Sequence, residues 1–329
     1  MLWWVIMAVA VGIDIGGTNV RAGVVDAAGN IRHRLSFPTE EHLGGGQLLD
    51  KMVGAANDCL AAGVADRKDF VGIGVGSPGI IDPERGIVLD CPGKIPGWTG
   101  THVCEELTQA TGLPAWMDND VKVIGLGEGW LGAGKGARSF LCFALGTGIG
   151  GAVIIDGQIY QGAHYNAGIL GHIIVDARGS TCICGNRGCV EAYASSRSIA
   201  GRAVDHILRG VQTSIKDLVG GDLNKVDARV VAEAAEGGDE VARAVLREAG
   251  HYLATAIISA VHVLDPERVV IGGGVARAGK YLVEPVRELV EKYAWLPPGA
   301  KVEVVAAQLG DDAGVLGGAK LALDRTHAV

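Results

Sequence analysis

The chain has 329 residues, about twice an ordinary domain, and its 48% hydrophobic and 20% charged residues exclude a disordered chain. Twenty-nine basic against 37 acidic residues leave a net charge of -8 with no Lys/Arg-rich block, which argues against a nucleic-acid partner. Glycine is the outlier at 52 residues, more than twice the usual share of about 7%. It falls in clusters, as in tight turns or backbone that a ligand approaches closely.

In chain order, MLWWVIMAVAV is an apolar start with Ala8 and Ala10 spaced like a signal cleavage site. No Lys or Arg precedes it, and cleavage would halve the strand that follows, so it reads as a buried first strand between Val5 and Asp14. No other stretch reaches the roughly 18 to 20 apolar residues of a membrane span. A glycine turn and a strand from Val20 to Asp26 complete a hairpin. A strand (Ile31 to Phe37), a helix (Gln47 to Ala62) and a strand (Phe70 to Val75) follow, ending in GSPG. The pattern continues with a strand at Ile87, a helix from Thr101 to Ala110, a strand from Ala115 to Met117 and a helix from Val121 to Leu131.

At Phe140 the opening pattern returns. FLCFALGTGIGGAVIID has the strand, glycine turn, threonine, strand and aspartate of AVAVGIDIGGTNVRAGVVD, so two similar halves are expected. A Cys/Gly loop (Ser180 to Cys189), a helix after Val190 and a long helix from Asp239 to Leu264 come next. They are followed by a strand from Arg268 to Gly274, a helix from Tyr281 to Tyr293, a strand in KVEVV and a closing helix from Asp312 to Leu323.

Five motifs carry chemistry. In Asp14-Ile15-Gly16-Gly17-Thr18-Asn19, a turn bare of side chains at two positions lets backbone amides reach phosphate oxygens, with the Thr18 hydroxyl beside them and Asp14 placed to hold a hydrated cation. Alone it is equally an ordinary hairpin turn; a second such turn, Leu145-Gly146-Thr147-Gly148-Ile149-Gly150-Gly151, shifts the balance toward polyphosphate. Neither is a GxxxxGK[ST] loop or a helix-opening GxGxxG. The strand running into Gly272-Gly273-Gly274, with LGDDAGVLGGA after it, reads as a strand-to-helix turn or as a surface for a base and ribose. In Asp118-Asn119-Asp120, at a helix start, Asp118 reads as a cap, and Asp120 as a carboxylate able to take the proton of an attacking hydroxyl.

His172, Cys182, Cys184 and Cys189 form a closed three-thiolate, one-imidazole zinc set, the alternative being a reducible Cys182/Cys184 pair. Cys59, Cys91, Cys104 and Cys142 are scattered and read as buried small apolar groups in a reducing compartment.

Together DIGGTN, GSPG, IPGW, DND, LGTGIGG, CICGNRGCVEAYAS and VVIGGG resemble the ROK family of sugar kinases and sugar-responsive repressors, its bacterial glucokinases above all. The resemblance runs from Val11 to about Ala322. It implies a two-domain actin-like ATPase (ribonuclease-H-like) α/β fold with a cleft between domains, set at 1–120 and 121–329. The second would carry the zinc loop, and the last helix is the element able to return to the first. It also implies ATP with magnesium, structural zinc, and γ-phosphate transfer to a hexose hydroxyl, typically at carbon 6, in a cytoplasmic homodimer or homotetramer. Asp120 matches the catalytic base. Gly79, Asn119, His172 and Glu191 match sugar-side positions, His172 being also a metal ligand. Asp14, Gly16, Gly17, Thr18, Thr147 and Gly148 match the phosphate side, and Gly272, Gly273 and Gly274 the adenosine side. The DNA-binding branch carries an N-terminal winged helix, and the short run of residues before the first motif disfavours that branch.

Three departures surround the sugar. Ile169 stands where the family usually writes Glu, and Lys94 and Lys122 where it writes Asn. Either the lysines point to solvent, or the substrate differs from plain glucose by a substituent or a negative charge. An amino-sugar or other modified-hexose kinase is therefore the alternative enzyme, and a non-catalytic sugar-binding regulator the alternative of another class.

Overall fold

A computed structural model describes residues 8–91 and 95–326. The first part of the chain forms β1 (Val9–Ile15), β2 (Asn19–Asp26), β3 (Ile31–Pro38), α1 (Gly45–Ala61), β4 (Phe70–Ser77), β5 (Ile80–Asp82), β6 (Ile87–Asp90), α2 (Val103–Thr111), β7 (Ala115–Asn119) and α3 (Asp120–Leu131). The hairpin β8 (Ser139–Leu145) and β9 (Ile149–Ile155) follows, then the two-residue β10 (Gln158–Ile159). The helices α4 (Glu191–Ala194), α5 (Ser196–Leu208), α6 (Ile215–Leu218), α7 (Ala228–Glu236) and α8 (Glu240–Leu264) come next. The chain ends with β11 (Arg268–Gly272), α9 (Val283–Tyr293), β12 (Glu303–Ala306) and α10 (Ala313–Thr326). The expected elements form, with ends shifted by a few residues. Val5 to Met7 of the first expected strand lie outside the described residues, and β5, β10, α6 and α7 were not read from the sequence.

The chain divides into two compact units. Unit 1 runs to Gly136, takes in Gly157–Ala167 and resumes at Leu309; unit 2 is Ala137–Asp156 with Gly168–Gln308. The expected boundary at 120 is thereby corrected, because α3 packs against β4 and α10 within unit 1.

In unit 1 the strand order is β3-β2-β1-β4-β7, with β1 antiparallel to β2 and parallel to β4, and β4 parallel to β7. Strand alternation sends Val9, Val11, Ile13 and Ile15 into one core with Leu48 and Met52 of α1, and Ala10 into another with Val315 and Ala319 of α10. Helix α10 sits unusually close to the sheet. A Cβ on Gly12 would strike the Val315 carbonyl and one on Gly74 the Gly318 carbonyl, and toward the neighbouring helix α3 a Cβ on Gly317 would strike the Val123 carbonyl. Part of the glycine excess therefore serves helix-on-sheet packing rather than turns or ligands.

Unit 2 repeats the arrangement. Its strands run β9-β8-β11-β12, with the antiparallel, parallel, parallel relations of β2-β1-β4-β7. Leu141, Phe143 and Leu145 pack with Val245, Leu246, Ala249 and Leu253 of α8, whose first turn is capped by Asp239 accepting from the Ala242 amide at 2.9 Å. Cys59, Cys91, Cys104 and Cys142 are buried, and burial pushes Cys59 and Cys104 up to about 12, leaving them inert. Among the described residues no helix is long and apolar enough to cross a membrane.

Candidate active site

Between β1 and β2 the first glycine turn closes on itself: the Gly16 amide donates to Asn19 O at 3.1 Å, and Thr39 Oγ1 donates to Gly16 O at 2.6 Å. Gly16 is thus the pivot of the turn, with its own amide spent inside it, while Gly17 and Thr18 are exposed at the tip. Asp14, on the last turn-ward residues of β1, is buried. Burial pushes its carboxyl up to about 7, the Asp120 charge adds to the rise, and Arg21 opposes it. A Cβ on Gly314, in the first turn of α10, would occupy the space of that carboxyl.

GSPG, IPGW and DND meet in unit 1. Trp98, fully buried, donates from Nε1 to Ser77 Oγ at 3.0 Å, which supports the turn carrying Gly79. Asn119 Nδ2 donates to Gly79 O at 3.0 Å, and Asn119 Oδ1 accepts from the amides of Val121 at 3.0 Å and Lys122 at 3.3 Å. Asn119, not Asp118, is the cap of α3, and most of its amide capacity is spent on that and on Gly79. Asp120 follows as the first helical residue, half-buried, its Oδ1 accepting from the Val121 amide at 2.9 Å.

Lys122 corrects the expectation of a solvent-pointing or sugar-facing lysine. Its side chain is only 5% exposed and is committed to Gln161 Oε1 and Tyr165 O, each at 2.8 Å. Burial is the largest influence on both Lys122 and its neighbour Asp118, holding Lys122 below and Asp118 above their ordinary ranges. Lys94 lies outside the described residues.

In unit 2 the second glycine turn is closed by the Gly146 amide on Gly148 O at 2.9 Å, and Ser196 N donates to Gly146 O at 2.9 Å. Thr147 is exposed at its tip. Gly273, with φ +86, lies so near Leu145 that a Cβ would strike its backbone. A cavity of about 490 Å³ is lined by Thr147 and Gly274 together with Ser196, Asp227, Arg229 and Arg277, large enough for a nucleoside. Gly272 is buried in β11 and does not line it. The lining residues of α7 and Arg277 were not anticipated. The apolar spacing of Val230, Val231, Ala234 and Ala235 was the available signal for that helix.

Also in unit 2, one donor atom each from His172, Cys182, Cys184 and Cys189 lies within 4.8 Å of the others. The pairs Cys182 Sγ to His172 Nδ1 at 3.6 Å and Cys184 Sγ to Cys189 Sγ at 3.7 Å match the roughly 3.6 to 3.8 Å edges of a tetrahedron with zinc–ligand bonds of about 2.0 to 2.3 Å. The loop turns through Gly185 and Gly188, both at positive φ; at Gly188 a Cβ would strike the Asp176 carbonyl. Glu191 is buried, with Oε2 accepting from the Ile149 amide at 2.7 Å and Oε1 3.8 Å from Cys182 Sγ. It ties the metal-type loop to the second glycine turn, next to Gly148. Ile169 is 40% exposed, and its carbonyl accepts from the His172 amide at 3.2 Å.

The ROK family model matches residues 10–325. The chain belongs to the ROK family. It is 36% identical to a glucokinase of Thermotoga maritima over 96% of this chain and 97% of that one. It is 34% identical to a glucokinase of Halalkalibacterium halodurans over 97% and 96%. A crystal structure of a ROK family glucokinase from Streptomyces griseus in complex with glucose and AMPPNP superposes with a TM-score of 0.82 at 31% identity, covering 95% of this chain and 99% of that one. The ROK fold of this chain is accordingly the two-unit α/β actin-like ATPase fold, each unit built on a sheet of the same strand order.

Proposed function

We propose that this ROK protein is an ATP-dependent hexose kinase that transfers the γ-phosphate to a sugar hydroxyl, the carbon-6 hydroxyl in the glucokinase manner. The observation that carries the reading is Asp120, a half-buried carboxylate at the head of α3 whose backbone is fixed by the Asn119 cap. As base, it accepts the proton of the attacking hydroxyl while the hydroxyl oxygen bonds to the γ-phosphorus and the bond to the ADP oxygen breaks. As the resemblance implies, Gly79, the remaining Asn119 N–H, His172 and Glu191 are the sugar-side residues.

Gly17, Thr18, Thr147 and Gly148 serve the phosphates, with Gly16 as pivot, and the cavity bordered by Gly274 takes the nucleoside, Gly272 and Gly273 leading the chain from β11 to its edge without lining it. Asp14 would hold magnesium, which takes one or two carboxylates plus phosphate oxygens and neutralises their charge. The His172, Cys182, Cys184, Cys189 set fits zinc; with four protein donors the set is closed, so zinc would stabilise the loop and leave chemistry to Asp120.

Because Lys122 is spent inside unit 1, it offers no charge to an anionic sugar, which favours a neutral hexose. A hexose with an apolar substituent is the second reading, favoured by the exposed alkyl group of Ile169. We further assign the protein to the cytoplasm, as its resemblance to the ROK sugar kinases implies, and to a homodimeric or homotetrameric state that light scattering will check. The test is ADP release from ATP and magnesium against a panel of hexoses, amino sugars, sugar acids and polyols. Hexose-dependent release is expected; sugar binding without release would make the chain a regulator.

A further inference from the structure

Residues 157–167 belong to unit 1, although the chain on either side of them belongs to unit 2. What fastens them there is a small buried polar cluster. Gln161 Nε2 donates to Asp118 Oδ2, Gln161 Oε1 accepts from Lys122 Nζ at 2.8 Å, and Tyr165 O accepts from the same ammonium at 2.8 Å. Asp118 Oδ1 lies 3.8 Å from Lys122 Nζ, and the two side chains are 1% and 5% exposed. Ile159 adds an apolar contact with Val123, Leu126 and Leu321. Tyr165 itself holds φ +57, a conformation most non-glycine residues avoid, so its carbonyl needs a partner to stay where it is.

The cluster grips the same turn that presents Asp120. Lys122 is the third helical residue of α3: its amide donates to the Asn119 cap at 3.3 Å, and its tip holds the segment. Asp118, Asn119 and Asp120 are consecutive, so the acid that Gln161 and Lys122 fix is two residues from the base. Asparagine at 122 would be too short to bridge Gln161 and Tyr165 together.

We infer that Lys122 is a positioning residue for the acceptor sugar, locking 157–167 to the first turn of α3 so that this segment forms a fixed wall beside Asn119 and Asp120. The inference rests on Asp120 being the base on the sugar side.

Lys122→Met keeps the apolar stem and removes the ammonium. Amide exchange across 158–166 should quicken by about tenfold or more, as expected for lost charge-assisted bonds. The hexose KM should rise about ten- to a hundredfold while the ATP KM stays within about twofold. Asp118→Asn with Lys122→Met removes the orphaned buried charge. It should recover melting temperature yet keep the high hexose KM, because Gln161 and Tyr165 still lack their tie. If Lys122→Met fails to fold, Gln161→Ala carries the test with the same expected rise in exchange and hexose KM. Unchanged exchange in the single variant, or a double variant with wild-type hexose KM, would overturn the inference by reducing Lys122 to charge balance. Exchange is read without sugar. Faster exchange in a protein that phosphorylates no hexose would therefore count against the proposed function and leave the strut standing.

Discussion

Asp14→Asn exchanges a buried, electrostatically disfavoured carboxylate for a neutral group of the same shape. The ordinary pKa of 3.8 rises to about 7 in the fold, from burial first and the Asp120 charge second. Between these values the folded chain keeps a proton that the unfolded chain has released. Stability from this group is therefore full below about pH 4, falls as pH rises toward 7, and stays low above it. At about 1.4 kcal/mol per pH unit, ionised Asp14 costs the folded state about 4 kcal/mol at pH 8 and under 2 kcal/mol at pH 5, taken as upper limits.

Asp14→Asn should consequently stabilise the ligand-free protein more at pH 8 than at pH 5, by about 2 to 3 kcal/mol. Comparing the two pH values cancels any pH-independent packing change. Urea unfolding followed by tryptophan fluorescence reads the right region, since Trp98, Trp116 and Trp130 all belong to unit 1. ATP turnover should fall in the same variant, the usual opposition between a stable and a working site. Equal gains at both pH values, or a loss at pH 8, would refute the assignment of a strained carboxylate.

Three further outcomes are expected. Metal analysis should find about one zinc per chain, and Cys184→Ser should lower yield and melting temperature while the surviving folded protein keeps its ATP KM; metal-free protein with Cys182 and Cys184 oxidised to each other would contradict this. Gly318→Ala places a methyl against the Gly74 carbonyl and should destabilise unit 1 by about 1 to 3 kcal/mol without changing either KM in the folded fraction, as read by melting and steady-state kinetics. Glucose should show a KM above about 1 mM, and Ile169→Glu should raise kcat/KM for it by roughly ten- to a hundredfold through one charge-assisted hydrogen bond; a micromolar wild-type KM would mean that Ile169 is neutral toward glucose.

The glycine turns, the helix-heading DND and the Cys/His loop were legible because each is local: a few adjacent residues dictate turn and chemistry. The duplicated hairpin at Phe140 likewise foretold two sheets of one topology. What could not be read depended on distant chain. The return of α10 to unit 1 was expected from the resemblance, but the glycines that let it approach closely, Gly12, Gly74 and Gly317, meet partners some 190 to 300 residues away, and the commitment of Lys122 depends on Gln161 and Tyr165, about 40 residues on. Helix α7 was missed between the Cys/Gly loop and the long helix, and with it part of the lining of the unit 2 cavity.

The most direct test of the central claim is ADP release from ATP and magnesium on addition of hexose, measured for the native protein and for Asp120→Asn side by side. The account predicts sugar-dependent release by the native protein and a fall of about 10² to 10⁴ in turnover for the amide variant, with ATP and sugar binding kept within about threefold. Near-native turnover by Asp120→Asn would contradict it, since a phosphoryl transfer indifferent to that carboxylate cannot use it as the base.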